Sequence, residues 1–146
     1  MSRWTQEQLQ AAHAGRLQGL IGLELLRVAH GELDARMLLK PDFMAPNGFL
    51  HAGTVVSMAD SCCGEGCLAS LPEGMAGFTT SELKTNFLRS AAHGDTLLCE
   101  ARMVHEGRST QVWDATVRRE SDGKPVALFR CTEYLLADAD PRTQPG

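Results

Sequence analysis

The chain has 146 residues, 43% apolar and 22% charged, which indicates one globular domain with a substantial core. The formal net charge is −4 and no basic run is present, which argues against nucleic-acid binding through phosphate contacts. No apolar stretch is long enough to cross a bilayer, and the N-terminal residues lack the apolar core of a signal peptide, so no membrane association and a cytoplasmic location are expected. The five cysteines, an odd number, do not predict a disulfide framework.

The first predicted elements are a helix over residues 4–19 and a pair of strands. Thr5 and Gln8 have the spacing of a capping box, which marks the start of a helix. Two strands follow, joined by a tight turn: Ile21–His30 and Glu32–Lys40. Apolar and polar residues alternate in the second strand, as they do in a strand with one buried face.

A long central helix is predicted over Gly53–Leu71. Only Asp60 and Glu65 are charged in it, and a helix that is apolar on most faces is enclosed by other structure. Four more strands are predicted after it: about Gly77–Arg89, Thr96–His105, Ser109–Glu120 and Lys124–Leu136. This order predicts an α+β fold, in which a curved, mostly antiparallel sheet of about six strands wraps the helix. We expect a single domain over residues 1–136 and a disordered tail over residues 137–146.

The segment from Asn47 to Asp60 carries the strongest chemical signal. His51, Ala52 and Gly53 lie where the central helix begins, and a helix start presents unpaired N–H groups that suit an oxyanion. Asp60 follows among apolar residues, where burial of a carboxylate is costly and is expected to raise its pKa. Such a carboxylate suits a general base or a nucleophile, so the segment indicates acyl-group chemistry.

Helix geometry separates the two parts of this segment. Gly53 and Asp60 lie two turns apart on one helix face, roughly 10 Å along the axis at about 1.5 Å per residue. One carbonyl group cannot lie against the carboxylate and also give its oxygen to the same helix start. We therefore expect each site to combine two antiparallel helices across the two-fold axis of a homodimer.

Other polar residues carry weaker signals. His51 fits a structural hydrogen bond better than the role of a general base. Thr80 opens the third strand, where its hydroxyl either reflects β-propensity or orients water or the carboxylate. Among the cations, Arg89 and Arg108 are candidates for contacts to the phosphates of a nucleotide-bearing thioester. The histidines are scattered without paired spacing, so no metal site is predicted.

The segment LHAGTVVSMAD resembles the signature of hotdog-fold acyl-CoA thioesterases, most of all that of the PaaI-like (phenylacetate-degradation) branch. The downstream segments SELKTNFLRSAAHGDTL and HEGRSTQVWDATVRRESDGKPVA resemble strands of the same family. The resemblance covers most of residues 20–136. It implies the hotdog fold and a homodimer, often doubled to a homotetramer, that acts on an acyl-CoA.

Carried over residue by residue, the resemblance assigns a role to each part of the segment. Asp60 becomes the catalytic carboxylate, and the N–H of Ala52, with Gly53 beside it, holds the thioester oxygen. His51 shapes the helix start by hydrogen bonding. Thr80 takes the place of a hydroxyl that positions water in several relatives.

Two positions depart from the family pattern. Ala52 replaces a glycine, which keeps the N–H but adds a methyl group on its approach. Ala45 stands six residues before the histidine, where many relatives carry an asparagine or glutamine. Asn47 is the candidate to replace that amide, and Gly48 beside it is a second candidate for substrate contact.

The sequence therefore predicts a thioesterase that hydrolyses an aryl- or medium-chain acyl-CoA to the free acid and coenzyme A, without a metal or further cofactor. Two other functions stay open. A hotdog enoyl-thioester hydratase or dehydratase is disfavoured if His51 is tied to the helix start. A non-catalytic acyl-CoA-binding module is suggested by the missing amide at Ala45.

Overall fold

The computed structural model describes residues 4–138 and shows one long helix packed against a six-stranded antiparallel sheet. The helices are α1 (Gln6–Ala12), α2 (Leu17–Leu20) and α3 (Ala52–Ala69), with a short 3-10 helix at Pro41–Phe43. The strands are β1 (Glu24–Ala29), β2 (Glu32–Leu38), β3 (Met75–Phe87), β4 (Thr96–Glu106), β5 (Thr110–Arg119) and β6 (Pro125–Ala137). The predicted α+β hotdog fold, with its central helix and six strands, is confirmed.

The sheet has the strand order β1-β2-β4-β5-β6-β3, and each neighbouring pair is antiparallel. Its concave side packs on α3, which contacts all six strands. The strand β3 pairs only with β6 and therefore lies at an edge of the sheet. Leu83 and Phe87 on this edge strand are exposed.

The second half of α3 is closed in by the sheet. Every residue from Ser61 to Cys67 is buried. Two glycines allow this close approach, because a Cβ atom on Gly64 or Gly66 would lie 2.7 Å from an aromatic carbon of Phe78 or Trp113. All five cysteines are free and buried, so they act as small side chains of the core.

The helix predicted over residues 4–19 is divided in two. Its start is as predicted, since the Thr5 side chain accepts from the Gln8 N–H and the Gln8 side chain accepts from the Thr5 N–H. Gly15 then adopts φ of +73°, a left-handed conformation that ends the helical path. The second helix, α2, starts only at Leu17, so the prediction of one continuous helix was wrong.

Strand ends differ from the prediction by at most three residues. Gly22 has φ of +71° and forms a turn, so β1 starts at Glu24 rather than Ile21. At the other end of the chain, Ala137 pairs with Met75 and belongs to β6, so the first residue of the predicted tail is in the sheet. Residues 139–146 lie outside the described part of the chain. Within the described part, no helix combines the length and apolarity needed to cross a membrane.

Candidate active site

The start of α3 leaves one backbone donor available. His51 is the N-cap, and its Nδ1 accepts the N–H of Gly53 at 2.8 Å. Ala52 is the first helical residue and is exposed, and its N–H donates to no group within residues 4–138. Because His51 Nδ1 already accepts the Gly53 N–H, the Ala52 N–H is the group at this helix start that can donate to a ligand oxygen.

A cleft with a volume of about 430 Å³ opens directly beside Ala52. Its walls are mostly apolar and include Phe49, Phe87 and Leu88. Arg89 also lines the cleft, and its guanidinium donates to the carbonyl oxygen of Pro125. The cleft thus combines an apolar wall, a backbone donor and a cation, which are the elements a ligand with an acyl chain and an anionic group requires.

Asp60 lies on the face of α3 that meets β3, and it is partly buried. Burial raises the pKa of its carboxyl group, and the hydroxyl of Thr80 opposes this shift by donating to Oδ1 at 3.5 Å. A carboxylate with a raised pKa is a better proton acceptor than an ordinary surface aspartate. The structure therefore places the predicted carboxylate and the predicted hydroxyl together.

A β-bulge fixes the position of Thr80. The register of β3 against β6 shifts between Thr80 and Glu82, so that Ser81 is the extra residue of the bulge. The Ser81 hydroxyl donates to the carbonyl oxygen of Thr132 at 3.2 Å. Thr80 itself is the cross-strand partner of Glu133, and both side chains turn toward α3.

Glu133 was missed by the sequence analysis. It is fully buried, and its Oε2 lies 2.8 Å from the Thr80 hydroxyl oxygen. The alternation of apolar and polar residues in β6 could have revealed it. Glu133 belongs to a row of buried residues spaced two apart that also contains Ala127, Phe129, Cys131 and Leu135. A carboxylate in an inward-facing row is rare enough to be noticed from the sequence alone.

Three other predicted site residues lie elsewhere. The side-chain oxygen of Asn47 accepts the N–H of Phe49 at 3.2 Å, so it closes a turn in its own loop and does not line the cleft beside Ala52. Gly48 has φ of +86° and lines a separate, shallow cleft with Arg119. The expected substrate contacts of Asn47 and Gly48 stay predictions, since no ligand position is defined.

Arg108 is in the turn between β4 and β5. This turn is near the C-terminal end of α3, because the side chain of Gln111 at the start of β5 donates to the carbonyl oxygen of Ser70 at 3.0 Å. Arg108 is thus at the opposite end of the helix from Ala52. Within one chain it does not join the cleft that Arg89 lines.

The described residues offer no alternative reactive centre of the metal or thiol type. In residues 4–138, no group of three or more His, Cys, Asp or Glu side chains is arranged to hold a metal ion. Burial raises the pKa of the Cys63 and Cys67 thiols, so both stay protonated and are poor nucleophiles. The groups that the candidate site brings forward are the Asp60 carboxylate, the Thr80 hydroxyl and the start of α3.

Comparison with known proteins gives three consistent matches. The family model described as "Thioesterase superfamily" matches residues 47–126. A 1,4-dihydroxy-2-naphthoyl-CoA hydrolase of Listeria monocytogenes is 30% identical over 80% of this chain and 92% of that protein. The acyl-coenzyme A thioesterase PaaI of Escherichia coli is 28% identical over 80% of this chain and 79% of its own length.

The fold agrees with these sequence matches. A crystal structure of a mutant thioesterase from Pseudomonas aeruginosa superposes with a TM-score of 0.85 at 27% identity, and the match covers 93% of this chain and 96% of that one. The matched family region starts at Asn47 and includes the helix start, Asp60 and Thr80.

Proposed function

The chain belongs to the thioesterase superfamily and is a thioester hydrolase, and from that premise we propose that it hydrolyses an aryl- or medium-chain acyl-CoA to the free acid and coenzyme A. The observation that carries this proposal is the partly buried Asp60, with its raised pKa, beside the hydroxyl of Thr80. The free Ala52 N–H at the start of the same helix supplies the second requirement, a donor for the thioester oxygen.

In the proposed reaction, Asp60 accepts a proton from water while the water oxygen attacks the thioester carbonyl. The carbonyl oxygen becomes an oxyanion, and the Ala52 N–H stabilises it by an effect typically worth about 3 kcal/mol per donor. Collapse of the intermediate breaks the carbon–sulfur bond, and the leaving thiolate takes up the proton from Asp60. A direct attack by Asp60, with an anhydride that water then hydrolyses, uses the same residues.

We further propose that each site is shared between two chains. Ala52 and Asp60 are eight residues apart on one straight helix, or about 12 Å along its axis at about 1.5 Å per residue. This separation is too large for both groups to act on one carbonyl group, so the partner's helix must supply one of them. The long edge strand β3 supports a dimer interface. Its Leu83 and Phe87 are exposed apolar side chains, and an edge strand with such side chains is usually covered by other structure.

The substrate class follows from the cleft. Its volume of about 430 Å³ and its apolar walls suit an aromatic ring or a medium acyl chain. The naphthoyl-CoA hydrolase among the relatives is named for an aromatic acyl group. Arg89, which lines the cleft, is our candidate for a contact to a phosphate of coenzyme A, and Arg108 of a neighbouring chain is a second candidate. Pairing of dimers into a tetramer and a cytoplasmic location, where acyl-CoA is available, complete the proposal.

The first test is a thiol-release screen over acyl-CoA esters of varied chain length and aromaticity, run with wild type and Asp60→Asn. We expect turnover of the best substrate to fall about a thousandfold in the variant, because the proton acceptor is lost. Glu73→Gln is the control, since Glu73 is an exposed carboxylate in the loop after α3. An Asp60→Asn protein with near wild-type turnover would contradict the assignment.

The same screen separates the remaining candidate functions. Acyl-CoA binding by the wild type without any thiol release would identify a binding module. Loss of the conjugated absorbance of an enoyl-CoA would identify a hydratase. The N-cap bond that ties His51 to Gly53 disfavours the second outcome, because it holds the imidazole at the helix start.

The shared site is tested by mixing two inactive chains, Asp60→Asn and Ala52→Pro. Proline is well tolerated at the first helical position, where it removes only the N–H in question. If the sites are shared, each mixed dimer contains one intact site, and random pairing restores about one quarter of the wild-type activity. No recovery after confirmed subunit exchange would show that one chain forms the whole site.

A further inference from the structure

The proposed hydrolysis steps give no role to the buried carboxylate of Glu133 on β6, although it lies close to Thr80. Its residue exposure is 0%. Oε2 lies 2.8 Å from the Thr80 hydroxyl oxygen, and Oε1 accepts the thiol of Cys131 at 3.2 Å. Within residues 4–138, no Lys, Arg or His lies close enough to pair with it. A carboxylate at this depth without a cation is strongly disfavoured in its charged form.

Thr80 connects this carboxylate to Asp60. Its Oγ1 lies 2.8 Å from Oε2 of Glu133 and 3.5 Å from Oδ1 of Asp60. A hydroxyl group has one proton to donate and can also accept. If both carboxylates are charged, Thr80 can donate to only one of them and presents its lone pairs to the other. If Glu133 carries a proton, it donates to Thr80, and Thr80 in turn donates to Asp60.

The burial of the two carboxylates decides which one carries that proton. Burial raises the pKa of Glu133, the hydrogen bonds with Cys131 and Thr80 partly oppose this shift, and the negative charge of Asp60 adds to it. Burial also raises the pKa of Asp60, but Asp60 remains partly exposed while Glu133 is sealed. Two carboxylates joined in this way titrate as a pair, and the better solvated member ionises first.

The other groups around Glu133 do not change this order. From α3 it faces Asp60 and the thiol of Cys67, from its own strand the thiol of Cys131, and from β3 the hydroxyl of Thr80. Its partner on β5 is Gln111, whose side chain bonds Ser70 and Trp113 and carries no charge. Asp60 is therefore the charged group to which Glu133 responds.

We propose that Glu133 is a positioning residue that holds one proton and, through Thr80, directs a hydrogen bond onto Asp60, so that Asp60 is the ionised carboxylate of the pair. This inference rests on the proposed role of Asp60 as the reacting carboxylate. Glu133 touches neither substrate nor water in this scheme. Its loss of a proton at alkaline pH turns the Thr80 hydroxyl away from Asp60 and places a second negative charge beside the site.

The first experiment does not depend on catalysis. Infrared spectroscopy resolves the C=O stretch of a protonated carboxyl group, and we expect wild type at pH 7 to show a band that Glu133→Gln removes. In Asp60→Asn the band remains, but its titration midpoint moves to lower pH because the neighbouring charge is gone. The inference is overturned if Glu133→Gln removes no such band, or if the midpoint is the same with and without Asp60.

The second experiment is the pH profile of kcat/KM on the best substrate. The wild type is expected to lose activity about tenfold on the alkaline side as Glu133 ionises, whereas Glu133→Gln shows no such fall because its amide cannot lose a proton. A merely structural role would leave the alkaline fall in place in the variant, which overturns the inference. If no acyl-CoA is hydrolysed at all, the proposed function fails, and the infrared result still decides where the proton is.

Discussion

The first half of α3, residues 52–60, and its second half, residues 61–69, differ in how far they are exposed to solvent. In the first half, Ala52 and Gly53 are exposed, and Asp60 at its end is partly buried with no ion-pair partner among residues 4–138. In the second half, Ser61–Cys67 is sealed by the sheet. Each half contains a carboxylate on an otherwise apolar helix, and only the surroundings distinguish the two.

Glu65 shows what a carboxylate of the second half does. It is buried, and its Oε1 lies 2.5 Å from Nε2 of His13, the C-cap residue of α1. The Nδ1 atom of His13 lies 3.2 Å from the carbonyl oxygen of Leu23. These contacts hold the N-terminal segment against the central helix, whereas the side-chain hydrogen-bond partner of Asp60 among residues 4–138 is the Thr80 hydroxyl. On α3, the carboxylate with a buried histidine partner, Glu65, supports the fold, and the partly exposed Asp60 is the one we propose for chemistry.

Removal of the His13 side chain should affect the second half of α3 only, where Glu65 lies. His13→Ala leaves Glu65 buried without its partner, and we expect a loss of about 3 kcal/mol in the free energy of unfolding, measured by urea denaturation. Glu65→Gln keeps a hydrogen-bonding group toward His13, so its loss should be nearer about 1 kcal/mol. If His13→Ala is as stable as wild type, the pair does not hold the segment.

The pH dependence of stability gives a second test of the buried Glu65 carboxyl group. Burial raises the pKa of Glu65 above its ordinary value of 4.5. The folded chain then binds this proton more tightly than the unfolded chain does, so its contribution to stability is full below pH 4.5 and is lost as pH rises through the raised pKa. The difference in stability between wild type and Glu65→Gln should shrink or reverse over that range, and a pH-independent difference would contradict this.

Most of the fold was predictable because it depends on local pattern. The alternation in each strand, the apolar length of α3 and the capping box at Thr5 are all properties of neighbouring residues. The break of the N-terminal helix was not predicted, since Gly15 is tolerated in many helices and its left-handed φ shows only in three dimensions. The position of His13 against Glu65, 52 residues later, is a tertiary contact that no local pattern contains.

The candidate site was predictable to a similar degree. The spacing from the helix start to Asp60 is a property of one helix, and it could be converted into a distance. The approach of Thr80 to Asp60 depends on a bulge in β3, and the link to Glu133 depends on strand pairing across 53 residues. Asn47 was expected to replace a missing amide, but the sequence could not show that its side-chain oxygen closes its own turn.

Adding one methyl group at Gly66 tests how closely the second half of α3 packs against the sheet. A Cβ atom on Gly66 would lie 2.7 Å from two ring carbons of Trp113, which is fully buried and donates its Nε1–H to Gln111 at 2.8 Å. Because the indole is held by that bond, Gly66→Ala should lower the free energy of unfolding by about 2 kcal/mol, measured by thermal or urea denaturation.

Gly64→Ala is the matched comparison, since its Cβ atom would meet the Phe78 ring at the same 2.7 Å. Phe78 is only partly buried and has no polar anchor, so its ring can give way and the loss should be smaller. Equal losses in the two variants would mean that the ring of Trp113 is no more fixed than that of Phe78. Gly64 and Gly66 both lie in the sealed half of α3, so equal losses would mean that the sheet constrains this half to the same degree at both contacts.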